Sequence, residues 1–287
     1  MSTIVQLVQG SPEWHAHRTK YRNASETAAV LGVSPWLTPY QLWLIRTGRA
    51  KQEVTAAMAH GSEFEPRARA AYEAQTGNVM QPLVMIDGEY SASLDGITLD
   101  GGLIAEIKVP FKGRESKLWQ AAEGDQLPVH YRWQVQHQLM VSRAALAHVY
   151  VFDGQDGILL GQHPDPSTWP TITQAWDRFM AHVAQDRPPA LVDSDTVVRG
   201  DEAWRLAAEE YVRLKQAADA AGELLDQAKE RLVTLASHSS ESGAGVTVTR
   251  FWKQGSVDYK RVPALTGVDL EQYRSAARLE TRVTGTR

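Results

Sequence analysis

The 287-residue chain contains no cysteine, which excludes disulfides, zinc–thiolate sites and iron–sulfur clusters together. It has no run of about 18 apolar residues, so no segment reads as a membrane-spanning helix. The first residues, MSTIVQLVQGSPEW, lack the basic-then-apolar layout of a secretory signal. A soluble, cytoplasmic protein with no membrane partner is the expectation. Bulk positive charge is also missing. With a net charge of −4, any contact with nucleic acid has to come from local basic clusters. What is present is an ordinary globular composition, 43% hydrophobic and 22% charged, long enough to bury a full core. The length suits one large domain, or one domain with an appendage.

Punctuation along the chain divides it into elements. Ser11 and Pro12 open a helix, and Ser25 is expected to cap a short second one that Gly32 ends. Thr38 and Pro39 start a third helix, stopped by Gly48. A long fourth runs from about residue 56 to 76, with Gly77 as its exit and Met58, Phe64, Ala68, Ala71 and Tyr72 as its apolar stripe. Strands are expected over 81–86, 90–98 and 103–109, the last two joined by the Asp100-Gly101-Gly102 turn. A helix over 128–142, two strands and another helix follow, giving an α/β core of a mixed sheet flanked by helices over residues 1–190. Residues 191–287 form an extension. Its long helix, about 201–237, carries a heptad seam through Tyr211, Leu214, Ala218, Ala221, Leu225, Ala228, Leu232 and Leu235. The seam suits packing within the chain or against a partner. A strand, a turn and a last short helix complete the tail.

The hairpin stretch ASLDGITLDGGLIAEIKVP carries the chemistry. Alternation along residues 103–109 puts Glu106 and Lys108 on one face with Ile107 opposite. Asp95 at the end of one strand and Glu106 on the next can give two oxygen ligands to Mg²⁺, and the Ile107 carbonyl a third. Lys108 then sits beside a metal-bound water, able to orient it or help remove its proton. The same pattern also describes a solvated hairpin with a surface ion pair worth ~0–1 kcal/mol.

The flanking segments carry a resemblance. EWHAHRTKYRNASETAAVLGVSPWLTPYQLW, MAHGSEFEPRARAAYEAQTG, SASLDGI, EIKVP and YRWQVQHQLMV occur in an order that resembles the YqaJ-like viral recombinase family, which includes phage lambda exonuclease. The likeness covers about residues 9–183. It implies a restriction-endonuclease-like PD-(D/E)xK core and 5′-to-3′ digestion of one strand of double-stranded DNA with Mg²⁺, for which Mn²⁺ can substitute. It also implies a phage or prophage setting in a bacterial cell, a single-strand annealing protein as partner, and a homotrimeric ring. Residue by residue, Asp95, Glu106 and the Ile107 carbonyl match metal ligands and Lys108 the catalytic lysine. Glu65 matches a further acid at the metal, and Gln136 an active-site glutamine. Arg18 and Ser25 match residues that bind the 5′-phosphate of a DNA end. Basic residues Arg18, Lys20, Arg22, Lys112, Arg114 and Lys117 flank the site as a DNA lining. His60, His130 and His137 read as supporting or DNA-facing residues, and Glu63 as a solvated helix residue. A site-specific endonuclease on the same core, or a non-catalytic DNA-end-binding module, are the competing readings.

Overall fold

The structure is a computed structural model and describes residues 2–253, 255, 262–265, 267 and 268. Residues Met1–Thr196 form one compact unit and Val197–Arg287 a second.

The first unit opens with strand β1 (Thr3–Val5) and helix α1 (Pro12–Lys20). Pro12 begins α1, and Ser11 Oγ accepts the Trp14 N–H. A two-residue strand β2 (Arg22–Asn23) follows, then a 3₁₀ turn over Ala24–Glu26 that leads into α2 (Thr27–Val30). Ser25 therefore lies inside the turn and does not cap α2. Helix α3 (Pro39–Arg46) begins with a capping box between Thr38 and Gln41. Helix α4 (Ala56–Thr76) ends at Gly77, whose φ of 73° supplies the left-handed exit. Of its expected stripe, Ala68 and Tyr72 are buried, whereas Met58 is 42% exposed.

The sheet is built from β3 (Gln81–Asp87), β4 (Tyr90–Ile97), β5 (Leu103–Lys108), β6 (Leu146–Phe152) and β7 (Gly157–Gln162) together with the two short strands. Its order is β1-β3-β4-β5-β6-β7, with β2 added to β4. β5 and β6 are parallel, and the crossover between them holds α5 (Lys117–Glu123) and α6 (Val129–Ser142). Helix α7 (Trp169–Ala184) closes the unit. The alternation of β5 and β6 defines two layers. Ile104, Val149 and Val151 pack with Leu118, Val135 and Leu139 of α5 and α6. Ala105, Ile107, Tyr150 and Phe152 pack against Ala68 and Tyr72 of α4. A third cluster joins α2, α3 and α7 around Leu42, Trp43 and Trp176. The result is a mixed sheet covered by helices, the restriction-endonuclease-like arrangement.

The second unit contains α8 (Glu202–Leu235), opened by Asp201 accepting the Trp204 N–H, and a hairpin of β8 (Ser240–Gly243) and β9 (Val246–Thr249). On its seam Leu214, Leu225, Leu232 and Leu235 are exposed. The last short helix expected in the tail lies outside the described residues.

Candidate active site

The site forms where β4 and β5 part. Their ladder pairs Gly96 with Ala105 and Ile97 with Ile104, and goes no further. At the next position the Asp95 carboxylate replaces the missing ladder bond, its Oδ2 accepting the Ile107 N–H at 2.7 Å. In an extended strand the N–H and C=O of one residue point the same way, so the Ile107 carbonyl faces the same opening. Gly96 is required beside it, because a Cβ there would lie 2.6 Å from Met80 Cβ.

Glu106 is nearly inaccessible, 3% exposed, and its carboxylate is held from three directions. Oε1 accepts from Lys108 Nζ at 2.5 Å and from Gln134 Nε2 at 2.7 Å, and Oε2 accepts from Gln138 Nε2. Lys108 also lies over the Tyr131 ring, Nζ 4.9 Å from its centre. Burial by itself disfavours the charged ammonium, but Glu106, Tyr131 and Asp95 outweigh it and hold the Lys108 proton more tightly than in free lysine. Asp95 shifts upward as well. Burial comes first, then the charges of Glu106 and Glu65, against the opposing pull of Lys108 and the Ile107 N–H. Glu65, on α4, pairs with Arg69 one helical turn on at 2.7 Å.

The glutamine expected at this site is a different one. Gln136 points away from Glu106: its Nε2 donates to the His163 carbonyl at 2.8 Å, and its Oε1 accepts the Asp165 N–H at 2.8 Å. The reason is helical phase. Positions 134 and 138, four apart, share one face of α6, and position 136 falls on the opposite side. His137, expected to support the site or face DNA, is fully buried. Its Nδ1 meets Thr27 Oγ1 at 2.6 Å, and burial lowers its pKa to about 3. His60 lies tilted against Phe64 and edge-on to Phe111, while His130 packs beside Tyr131 with a pKa lowered by burial and by Lys108. Glu63 is exposed.

Arg18 and Ser25 are brought together. Arg18 Nη1 donates to Ser25 Oγ at 3.1 Å, and its Nη2 pairs with Glu26 at 3.0 Å. Its guanidinium lies 4.7 Å from the Trp14 ring centre, and Trp14 Nε1 donates to Ser93 Oγ, two residues before Asp95 on β4. Through Trp14 and Ser93, Arg18 is thus connected to the strand that carries Asp95. Other members of the expected basic lining are already engaged: Arg22 with Glu89 and Asp177, Arg114 with Asp153 and Asp156. Lys20, Lys112 and Lys117 are exposed.

Among the described residues, no group of three or more His, Cys, Asp or Glu side chains is already gathered around a point where an ion would sit. The donors at the strand opening are oxygens only, the chemistry a hard divalent cation accepts. The clearest sign of fit is geometric: Asp95 and the Ile107 backbone meet at this opening beside the nearly inaccessible Glu106 carboxylate. Asp95, Glu106 and Glu65 place more negative charge here than Lys108 balances, and a divalent cation reverses that imbalance.

Comparison with known proteins finds the following likenesses. Residues 13–145 match the family model of the YqaJ-like viral recombinase domain. The uncharacterized protein YqaJ of Bacillus subtilis (strain 168) is 29% identical over 136 residues, which covers 45% of this chain and 41% of that protein. The chain therefore spans less than half the length of this curated relative. Among solved structures, the alkaline exonuclease LHK-Exo from Laribacter hongkongensis is similar at a TM-score of 0.51 and 25% identity, over 61% of this chain and 93% of that one. The same enzyme in complex with dAMP gives 0.52 at 24% identity, with the same coverage.

Proposed function

From the YqaJ-like viral recombinase domain carried over residues 13–145, we propose that the chain is a Mg²⁺-dependent deoxyribonuclease acting on double-stranded DNA ends. It digests one strand 5′ to 3′ and leaves 3′ overhangs for a single-strand annealing protein in phage or prophage recombination. The observation that carries this reading is the cluster at the β4–β5 opening, where Asp95 and Glu106 meet Lys108 with negative charge in excess.

Asp95, Glu106 and the Ile107 carbonyl would hold the ion, and Glu65, now paired with Arg69, would be a further acidic ligand. A bound Mg²⁺ supplies a water of lowered pKa and offsets charge at the scissile phosphate. Lys108 keeps its proton at working pH, so it orients the attacking water and faces the phosphate oxygens and does not serve as the base. Gln134 and Gln138 fix the Glu106 carboxylate. Arg18 and Ser25 receive the terminal 5′-phosphate, with Arg46 keeping Glu26 neutralised when Arg18 turns to the anion. A net charge of −4 cannot hold DNA by bulk electrostatics, and a homotrimeric ring around the duplex would supply processivity.

The test is digestion of linear and closed circular duplexes with and without Mg²⁺, with light scattering for the assembly. Loss of linear DNA alone, only with the metal, supports the reading. Equal attack on circles supports an endonuclease, and no cleavage at all supports a binding module.

A further inference from the structure

One large apolar side chain close to Tyr131 stays mostly uncovered. Trp36 is 67% exposed, although an indole gains most of its free energy by being covered. Its loop is nevertheless pinned. Val33 N–H and Ser34 N–H both donate to the Ala28 carbonyl, and Ser34 Oγ accepts from the Trp36 and Leu37 N–H groups. Leu37 packs into the α2–α3–α7 cluster, and Thr38 Oγ1 donates to Asp195 at 2.6 Å. A backbone held on both sides of an uncovered indole presents that ring in a fixed place.

That place adjoins the chemistry. The Trp36 ring stands edge-on to His130 at 4.7 Å and tilted to Tyr131 at 5.7 Å, and Lys108 Nζ lies 4.9 Å from the Tyr131 ring centre. A single DNA strand advances about 3.4 Å per nucleotide, so Trp36 is within the first few bases of a phosphate at Lys108. Resting on the nuclease reading above, we propose that Trp36 is a stacking platform for one base of the cleaved strand beside the scissile phosphate. The ligand class is a nucleobase taken by its π-face, which every base offers, so the contact holds the strand without selecting sequence. His130 supports the ring edge-on, its Nε2 buried and without a partner.

Single-turnover rates test this on linear duplexes that carry an abasic site at each of the first few positions from the 5′ end. Stacking on one base is worth a factor of roughly 5 to 150. Wild type is expected to slow by that factor at one abasic position. Trp36→Ala is expected to be slowed similarly on intact DNA and to be insensitive to that abasic site, with Trp36→Phe recovering most of the rate. Trp36→Ala that cleaves intact DNA at the wild-type rate overturns the proposal. So does a variant that keeps the wild-type abasic penalty while its melting temperature falls, which marks a structural role. The same penalty with an altered mass by light scattering also overturns it, in favour of a contact between copies. A wild type that cleaves no DNA defeats the nuclease reading itself, which the abasic comparison keeps distinct.

Discussion

Replacing the three glutamines of α6 one at a time separates the face that serves Glu106 from the face that serves the loop after β7. Gln138 is 1% exposed and donates to a carboxylate that is itself 3% exposed. A hydrogen bond to a charged group in such a place contributes about 1.5–3 kcal/mol, and its loss leaves Glu106 Oε2 without its donor. Gln138→Ala is therefore expected to lower stability by about 2–3 kcal/mol, a fall of about 5–10 °C in melting temperature for a unit of this size. Gln134→Ala should cost less, because Lys108 still serves the same Glu106 oxygen. Both changes loosen the carboxylate proposed to hold the ion, and changes of that kind typically reduce activity about 10- to 100-fold. Gln136→Ala frees the His163 carbonyl and the Asp165 N–H, which belong to exposed residues that water can reach, at a cost of about 1 kcal/mol. Its turnover on DNA is expected to stay within about threefold of wild type, a change of under 1 kcal/mol. The assay is single-turnover digestion of a linear duplex beside a thermal melt. A Gln136→Ala protein as impaired in turnover as Gln134→Ala would refute the helical phase described here.

The remaining expectations concern the core and the Arg18–Ser25 pair proposed to bind the DNA end. His137 is buried neutral with its pKa lowered to about 3, so the unfolded chain binds a proton there between about pH 6.5 and 3 that the fold does not. That contribution to stability is complete above pH 6.5 and is lost as pH falls, by about 2 kcal/mol at pH 5. Denaturant titrations at pH 7 and 5 should show this, with a smaller pH difference in His137→Phe; an unchanged difference would contradict the assignment. Duplexes with a 5′-phosphate should be digested faster than those with a 5′-hydroxyl, and Arg18→Ala should remove the preference. Equal wild-type rates on the two ends would eliminate the pocket.

Much of this was legible from residue order. Pro12, Pro39 and Gly77 mark helix ends through backbone rules that act locally, and the structure places α1, α3 and α4 where those rules require. Glu106 and Lys108 share a face because a strand has a period of two. What escaped depended on short elements or on phase. Helix α5 has only seven residues, and the pairing of β1 with β3 joins residues some 80 positions apart, so neither has a local signal. Ser25 looks like a cap by type, yet the chain enters α2 through a 3₁₀ turn and frees its hydroxyl for Arg18. The choice among Gln134, Gln136 and Gln138 needed the rotation of α6 about its axis. The spacing of four between two of them on a largely buried helix was the available clue.

The central claim is that Asp95, Glu106 and Lys108 form a hydrolytic centre working from a 5′ end. Its most direct test follows release of label from a linear duplex carrying it at the 5′-phosphate, in Mg²⁺, for wild type and for Lys108→Ala with its fold verified by circular dichroism. Rapid release of labelled mononucleotide by wild type and a loss of at least about a thousandfold, some 4 kcal/mol, in the variant is the expected result. A Lys108→Ala protein with near-normal turnover, or a 5′ label released last, would contradict it.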